Sequence, residues 1–327
     1  MNKKNIAVAM GGYSSEFEIS IGSGEVVCKS LDDSKYNIYP VHILKENWYY
    51  VNSDGDRFII NKADFSFFTG TETIIPDAIF NTVHGTPGEN GYLQAYWELL
   101  GIPQTSSGFY QAAVSFNKRD CLIILQRFGV KCADSYYLNK GDEINEEEIL
   151  KIVGLPCFVK PNRAGSSFGI SKVNTKKELL PAIKIAFKED HEIIIEKALV
   201  GVEVSVGVYN NNDEVIALPV TEIVSENEFF DYDAKYLGKS EEITPARISA
   251  KETITVQKEA KRIHRILNMK GVTRSDFIIQ NGEPYFIEIN TTPGISKESI
   301  IPKQVREAGM SLKSFFGILV ENALNKK

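Results

Sequence analysis

The stretch RSDFIIQNGEPYFIEIN, residues 274–290, contains two runs rich in β-branched and aromatic residues. Between the runs lies Asn281-Gly282, a pair that readily adopts the left-handed backbone of tight hairpin turns. The pattern therefore predicts a β-hairpin whose strands carry both charged and apolar residues. Because side chains alternate between the two faces of a strand, the pairing register decides which of these residues meet.

Two registers compete for this hairpin. A two-residue loop would place Asp276 opposite Ile287 and mix charged with apolar side chains on both faces. A three-residue loop places Asp276 opposite Glu288 and Arg274 opposite Asn290. It leaves the other face wholly apolar, and burial of that face favours this register. The apolar face then consists of Phe277, Ile279, Tyr285, Ile287 and Ile289.

The favoured register brings two carboxylates and one amide together on one face. Side chains of paired residues lie roughly 5 Å apart, where like charges repel each other. Carboxylate and amide oxygens are ligands of hard cations, so Asp276, Glu288 and Asn290 are candidate Mg²⁺ ligands. The alternative is a solvated face on which Arg274 neutralises the acids, and the hairpin alone leaves both interpretations open.

Length and composition exclude several classes of protein. The 327 residues exceed one typical domain core and predict two or three domains. A net charge of −6 gives no electrostatic support for a nucleic-acid partner. The sequence shows neither a signal-peptide core nor the ~20 apolar residues of a membrane span. The four scattered cysteines lack the spacing of a zinc site or a disulfide framework, which fits a reducing cytoplasm.

The first hundred residues show the pattern of a parallel α/β domain, with apolar strands that end in glycine-rich loops. A capping box of Ser15 and Glu18 is predicted at the first helix, which leaves Glu16 without a structural role. His84 follows the strand at 78–83, at the edge where ligands of such domains gather. Glu16 and His84 are therefore candidate ligand-binding residues, although a single histidine also serves as a packing residue. The remaining predictions here are strands at 5–10 and 38–44, a hairpin at 48–60 and a helix at 92–100.

The middle of the chain contains a candidate anion site. Lys118 begins a predicted helix at 118–128, where a bound anion would suit the helix dipole better than an isolated cation does. Lys160 ends a strand and precedes a loop of small residues with Ser166 and Ser167. Such loops bind phosphate oxygens through backbone N–H groups, whereas the alternative is a flexible hairpin loop. Other predicted elements are helices at 109–116, 144–153, 175–189, 250–268, 302–309 and 311–325, and strands at 134–138 and 156–160.

Two acids and a long polar segment complete the candidates. Glu196 and Glu203 bracket a short turn between two strands. Exposure is the ordinary fate of such acids, but in a nucleotide site Glu203 would accept hydrogen bonds from ribose hydroxyls. The aperiodic segment 222–245 carries aromatic residues and is typical of a lid, in which Lys235 and Tyr236 would meet a charged substrate.

Six motifs along the chain resemble those of the D-alanine–D-alanine ligases of the ATP-grasp superfamily. Each motif is weak by itself, but six in the family's order across the whole chain are specific. They are GGYSSEFEIS (11–20), HGTPGENG (84–91), FVKPNRAGSSFGISKV (158–173), EKALVGVEVSV (196–206), DYDAKY (231–236) and RSDF…FIEINTTPGISKESIIP (274–302).

The resemblance implies an α/β, Rossmann-like N-terminal domain at 1–107, followed by a two-domain, α+β ATP-grasp fold at 108–195 and 196–327, with 222–245 as the lid. It implies that ATP phosphorylates the carboxylate of one D-alanine and that the amine of a second D-alanine attacks the acyl phosphate. The product would serve peptidoglycan synthesis in the cytoplasm. Two Mg²⁺ ions, with Mn²⁺ as a substitute, and a homodimer are also implied.

The resemblance assigns the substrate-binding and catalytic roles. Glu16 is implied to hold the ammonium of the first D-alanine, with His84 near its carboxylate. Ser299 is implied to receive the carboxylate of the second D-alanine. Arg274 and the backbone of Gly294 are the implied oxyanion stabilisers.

Closure, nucleotide binding and metal binding are assigned in the same way. Tyr236 of the lid is implied to hydrogen-bond toward Ser166 and Glu16. The implied nucleotide-binding residues are Lys118, Lys160, Ser166, Ser167, Glu196, Lys197, Leu199, Glu203 and Lys235. The implied metal ligands are Asp276, Glu288 and Asn290.

Two alternatives stay open. One is an ATP-grasp ligase with another acceptor, such as D-lactate, although the pair Lys235-Tyr236 follows the pattern of the dipeptide-forming members. The other is a catalytically silent nucleotide-binding regulator, which should lack a metal ligand or the arginine. Arg274 and the three candidate metal ligands are all present, which favours an enzyme.

Overall fold

The computed structural model describes residues 3–163, 168–225 and 240–325. The N-terminal part of the chain forms a mainly parallel sheet with helices on both faces. Its strands are β1 (Lys4–Gly11), β2 (Tyr36–Ile43), β3 (Trp48–Val51), β4 (Arg57–Ile59), β5 (Phe67–Phe68), β6 (Thr73–Ile74) and β7 (Ala78–Asn81), and its helices are α1 (Phe17–Ser30) and α2 (Tyr92–Leu99).

The order of the first sheet is β4-β3-β2-β1-β7, and β1 is parallel to both β2 and β7. Alternate residues of β1 enter two different cores, with Ile6 and Val8 on the side of α1, and Ala7 and Ala9 on the side of α2. A strand covered on both faces needs a continuous apolar run, which β1 provides. The parallel pairing places the carboxyl ends of β1 and β7 side by side.

The middle of the chain forms an antiparallel sheet of order β10-β9-β11-β8. Helices α5 and α6 cover one face of this sheet through a core of aliphatic side chains. The elements are α3 (Phe109–Phe116), α4 (Lys118–Arg127), β8 (Ser135–Asn139), α5 (Glu146–Val153), β9 (Cys157–Pro161), β10 (Ser171–Val173), α6 (Lys176–Glu189) and β11 (Glu192–Lys197).

The C-terminal part forms a larger antiparallel sheet of order β15-β14-β12-β16-β17, with β13 also paired to β12. Its described elements are β12 (Val202–Asn211), β13 (Glu214–Ala217), β14 (Thr221–Ser225), β15 (Ser240–Ile243), α7 (Ala250–Ile266), β16 (Val272–Gln280), β17 (Glu283–Asn290), α8 (Ile300–Glu307) and α9 (Leu312–Leu324).

The two faces of the C-terminal sheet differ in character. One face is apolar and packs against α4 and α7, with Val204, Val206 and Phe277 in the shared core. The other face carries polar residues, and α8 lies against it. Helix α9 joins this part of the chain to the first sheet, where the ring of Phe316 meets that of Phe80 at 5.4 Å between centroids. Among the helices that the structure describes, none combines the length and the apolar character needed to cross a lipid bilayer.

The hairpin of β16 and β17 confirms the predicted pairing but not the predicted loop. Asp276 lies opposite Glu288, and Arg274 lies opposite Asn290. The loop contains only Asn281-Gly282, both with positive φ, because Gln280 and Glu283 still form a pair. A β-bulge after Phe286 supplies the extra residue that the sequence interpretation had placed in the loop.

The bulge also changes the composition of the apolar face. Phe286, not Tyr285, lies in the core beside Phe277, with their ring centroids 5.9 Å apart. Ile287 was predicted to share that core, but it lines a cavity on the polar side instead. The physical reason is that one unpaired residue in a strand reverses the alternation of every side chain beyond it.

Two further predictions are wrong. The capping box of Ser15 and Glu18 does not form, because α1 begins at Phe17 and its N-cap, Glu16, receives no side-chain cap bond. The backbone N–H of Glu16 instead donates to the Ser14 hydroxyl at 3.3 Å. The segment 222–245 is not wholly irregular, since β14 and β15 pair antiparallel at its ends. The residues between those strands lie outside the described ranges.

Substitutions in β17 test which aromatic residue faces the core. Phe286→Ala should lower the free energy of unfolding by about 3–5 kcal/mol, because it empties a buried ring position. Tyr285→Ala is the matched control on the opposite face and should cost about 1 kcal/mol. Urea unfolding followed by fluorescence measures both. A larger loss for Tyr285→Ala than for Phe286→Ala would contradict the observed alternation.

Candidate active site

A cavity of ≈510 Å³ is lined by residues of the second and third sheets and, from the N-terminal part, by residues of α1 and of the loop after β7. Every predicted site residue within the described ranges contributes to its wall. These residues are Glu16, His84, Lys118, Lys160, Glu196, Lys197, Leu199, Glu203, Arg274, Asp276, Glu288, Asn290, Gly294 and Ser299. The other four predicted site residues, Ser166, Ser167, Lys235 and Tyr236, lie outside the described residues. The structure thus brings the candidates together, while their individual roles stay predictions.

Asp276 is the best-anchored acid in the cavity. Arg274 donates to both of its carboxylate oxygens, at 3.0 Å from Nε and 2.8 Å from Nη2. The hydroxyl of Ser205, which lies opposite Asp276 on β12, donates to Oδ1 at 2.5 Å. The side chains of Arg274 and Asp276 are only 19% and 10% exposed, so the face is not a solvated one. Burial opposes the charge of Arg274, but the carboxylate of Asp276 prevails and raises the pKa of the guanidinium.

Two lysines face acids across the cavity. Lys118 is the first residue of α4, and its Nζ lies 3.5 Å from Oε2 of Glu288. Lys160 on β9 forms a tighter pair, with 2.7 Å between its Nζ and Oε2 of Glu196 on the neighbouring strand β11. Burial alone would lower the pKa of Lys160, yet the adjacent Glu196 raises it above its usual range. Both lysines therefore line the same cavity and lie beside acids.

The side chains at the hairpin fit a hard cation. Asp276 and Glu288 present carboxylates from paired positions, and Asn290 adds an amide two residues further along β17. The amide nitrogen of Asn290 is buried and finds no hydrogen-bond partner among the described residues, so this donor suits an oxygen of a bound anion, whereas the amide oxygen is the atom that could ligate a cation. Within the described ranges no three His, Cys, Asp or Glu side chains form a metal cage, so any cation here would also use the amide or a ligand's oxygens.

The N-terminal wall of the cavity combines Glu16, His84 and Glu89. His84 is buried at the loop after β7, and burial lowers the pKa of its imidazole. Glu89 accepts a 2.7 Å hydrogen bond from the backbone N–H of Gly85. Burial and then the neighbouring Glu16 raise the pKa of Glu89 to about 8. The wall therefore holds a neutral imidazole and, at neutral pH, a mostly protonated carboxyl beside Glu16.

The opposite end of the cavity is formed by the loop before α8. Ser299 is the N-cap of α8, and its hydroxyl lies 2.7 Å from that of Ser296. Gly294 approaches the same hydroxyl so closely that a Cβ there would lie 3.0 Å from it. A helix N-terminus with hydroxyl groups in front of it suits a carboxylate. The role of Ser299 and Gly294 toward the second substrate stays a prediction.

The sequence interpretation missed three residues of the site. Glu89 was detectable, because it belongs to the same glycine-rich loop as His84. Ser205 was also detectable, since it lies two residues after Glu203 and so shares its face of β12. The sequence around Glu242 carries no signal of a site, because the pairing of β15 with β14 is what brings this residue to the cavity. There Nζ of Lys303 on α8 donates to Oε2 of Glu242 at 3.0 Å.

The architecture and the cavity define an ATP-grasp enzyme, a class in which two antiparallel sheets enclose a nucleotide beside an N-terminal α/β domain. Two family models match the chain: "D-ala D-ala ligase N-terminus" over residues 5–107 and "D-ala D-ala ligase C-terminus" over residues 124–321. The chain belongs to the D-alanine–D-alanine ligase family.

Curated relatives match the chain from end to end. The D-alanine–D-alanine ligase of Christiangramia forsetii is 58% identical over 325 residues, 99% of this chain and 100% of the relative. That of Flavobacterium johnsoniae is 58% identical over 321 residues, 98% and 99% of the two chains. These relatives therefore match essentially the whole length of this chain.

Solved structures of two ligases share the fold of this chain. The VanG D-Ala:D-Ser ligase from Enterococcus faecalis has a TM-score of 0.86 at 32% identity, covering 98% of this chain and 100% of that one. A D-alanine–D-alanine ligase from Bacillus anthracis, complexed with ATP, has a TM-score of 0.80 at 28% identity, covering 98% and 97%.

The raised pKa of Glu89 predicts how stability depends on pH. The folded state keeps its proton up to about pH 8, whereas the unfolded chain loses it near 4.5. The folded state thus binds more protons in this interval, and this residue makes stability fall as pH rises through it. Glu89→Gln should therefore gain stability relative to the natural chain by up to ~1.4 kcal/mol per pH unit in that window. Urea unfolding of both proteins at pH 5, 6, 7 and 8 measures the difference, and a difference independent of pH would refute the assignment.

Proposed function

We propose that this protein joins two molecules of D-alanine to D-alanyl-D-alanine, with conversion of ATP to ADP and phosphate, and thereby supplies peptidoglycan synthesis. The observation that carries the proposal is the convergence of the described motif residues on one cavity. Family membership adds the class of reaction. The charges of the cavity suit a reaction that brings a polyphosphate to a carboxylate.

The first step transfers the γ-phosphoryl group of ATP to the carboxylate of the first D-alanine. Lys118 and Lys160 bind the phosphates, and Glu203 accepts hydrogen bonds from the ribose. Glu16 holds the ammonium of the substrate, so that a carboxylate oxygen points toward the phosphorus. Phosphoryl transfer needs positioning and charge neutralisation more than covalent help from the protein. The cavity provides both through cations that buried acids already orient.

Magnesium belongs to the proposal as an oxygen-ligated cofactor. Asp276, Glu288 and Asn290 would hold two Mg²⁺ ions, for which Mn²⁺ could substitute. When bound, the ions would neutralise the negative charge of the phosphate oxygens and so favour transfer of the γ-phosphoryl group. The two facing carboxylates and the amide oxygen of Asn290 support this assignment, and the unpartnered amide nitrogen can donate to a phosphate oxygen of the nucleotide.

In the second step the amine of the second D-alanine attacks the carbonyl carbon of the acyl phosphate. Ser299 and the N-terminus of α8 receive its carboxylate. Arg274 and the backbone N–H of Gly294 stabilise the oxyanion of the tetrahedral intermediate. Phosphate then leaves, the nitrogen loses a proton, and the amide bond is complete. Lys235 and Tyr236 close the site from the lid in this proposal.

Three wider features complete the proposal. The chain divides at about residues 107 and 195 into a substrate-binding domain and two domains that enclose ATP. It acts in the cytoplasm, which agrees with the four free thiols. It forms a homodimer, and exposed apolar side chains on the adjacent helices α2 and α3 would suit such an interface, among them Tyr92, Leu99, Phe109 and Tyr110.

ADP release tests the reaction. D-alanine should stimulate release strongly, whereas L-alanine should not, because its methyl group would point to the wrong side of the bound carboxylate. Addition of D-lactate to D-alanine should yield dipeptide and little ester, identified by mass spectrometry. Absence of D-alanine-dependent release would overturn the proposal and favour a silent nucleotide-binding protein, and a mainly ester product would favour the other acceptor.

Asp276→Asn tests the cation site. The substitution removes one charge while preserving size, so turnover should fall by at least ~100-fold. Glu283→Gln makes the same change on the exposed end of the hairpin, where Oε2 of Glu283 lies 3.2 Å from Nζ of Lys131. It should keep nearly full turnover. Isothermal titration with Mn²⁺ and ADP supplies a second measurement, and unchanged metal binding by Asp276→Asn would argue against the site.

A further inference from the structure

Ser23 is a buried hydroxyl that joins two walls of the cavity. It lies on α1, fully buried, and the family motifs assign it no role. Its Oγ is 3.2 Å from Nε2 of His84 in the N-terminal domain. The same oxygen accepts a 3.3 Å hydrogen bond from the backbone N–H of Ile295, which follows Gly294 in the C-terminal loop. One hydroxyl thus connects His84 with the loop that carries the proposed oxyanion donor.

The protons in this arrangement can be assigned. Burial lowers the pKa of His84, so its ring is neutral and carries one N–H. Ile295 brings only an N–H to Ser23, so among the described contacts of this buried hydroxyl Nε2 is the acceptor, and the ring proton lies on Nδ1. The Ser23 O–H thus donates to Nε2. The hydroxyl can do so, because the lone pair that it offers to Ile295 is separate from its proton.

Neighbouring contacts tie the same loop to the N-terminal domain. Asn81 donates from Nδ2 to the Thr292 hydroxyl at 3.4 Å. Gly294 lies between this contact and the bond from Ile295 to Ser23. The charged groups that act on the His84 ring are Glu16 and Arg274, both in the cavity. The loop therefore has anchors on both sides of Gly294, and Ser23 is the anchor on the far side.

We infer that Ser23 is a positioning residue: it fixes His84 as the Nδ1–H tautomer and, through Ile295, aligns the Gly294 N–H with the reacting carbonyl. With that tautomer, Nε2 of His84 accepts from Ser23 and donates no proton to the substrate. The expected effect of this alignment on catalysis rests on the proposed function. The tautomer of His84 is independent of that function.

Nitrogen-15 NMR of the full-length protein with labelled histidine tests the tautomer. The sequence has only four histidines, so the ring signals can be assigned by substitution. We expect His84 to show a protonated Nδ1 and an unprotonated, hydrogen-bonded Nε2 at neutral pH. Ser23→Ala should shift the Nε2 signal or mix the two tautomers. A natural protein with the proton on Nε2 would overturn the inference.

Kinetics test the alignment. Ser23→Ala should lower kcat for D-alanine about tenfold and leave the KM for ATP unchanged, because the lost contact orients a group that acts in the transition state. Ser23→Cys has a weaker donor and acceptor, so its kcat should lie between those of the natural protein and Ser23→Ala. Ser20→Ala is the matched control: Ser20 is equally buried on α1, but its hydroxyl bonds Gly11 and Thr82 at 2.8 Å each and touches neither His84 nor the loop.

The outcomes separate the two proposals. The inference is supported if Ser23→Ala changes both the His84 signals and kcat. The control Ser20→Ala should lose stability but keep the His84 signals and kcat unchanged. Unchanged signals and kcat in Ser23→Ala overturn it and leave the ligase proposal intact. A natural protein without D-alanine-dependent ADP release would defeat the proposed function, while the NMR result would still decide the tautomer. If Ser23→Ala does not fold, Ser23→Cys and the natural protein provide the same test.

Discussion

Two carboxylates on one face of a hairpin are the constraint on which this structure depends. Asp276 and Glu288 occupy paired positions, so their charges would repel without cations nearby. Arg274 balances the first acid with two hydrogen bonds, and Lys118 stands 3.5 Å from the second. A buried charge that lacks its partner is strongly destabilising, so each of these residues requires the others. Because Lys118 comes from α4 and the acids from β16 and β17, this balance also fixes how distant parts of the chain meet.

The same principle operates throughout the cavity. Lys160 and Glu196 form a close pair on neighbouring strands, and Lys303 and Glu242 form another near the start of α8. Such pairs keep long basic side chains in place before any anion arrives. In the proposed reaction an incoming polyphosphate would meet donors that are already oriented, which would reduce the reorganisation needed on binding.

Packing on the opposite face supplies stability that offsets the cost of burying these polar groups. The apolar side of the C-terminal sheet buries Phe277 and Phe286 against α4 and α7. A second core extends from the first sheet to α9, where Phe80 meets Phe316. The polar loop around Thr292 and Ile295 lies beside this second core; Thr292 accepts a hydrogen bond from Asn81 of the N-terminal domain, and Ile295 donates one to Ser23 of that domain. Apolar contacts therefore set the distance between the domains, and directional bonds set the orientation of the loop.

The sequence by itself determined the type and order of the main elements, the convergence of charged motifs and the pairing of Asp276 with Glu288. These features follow from local periodicity and from the need to bury one face of a strand, both of which are visible in consecutive residues. Only the tertiary structure decided that the turn has two residues and that a bulge at Ile287 restores the register, because a bulge has no distinctive composition. It also decided the absence of the cap at Ser15, the protonation of Glu89 and the position of Ser23 between His84 and Ile295. Such features depend on groups that are remote in the chain, and their energies exist only when folding has brought those groups together.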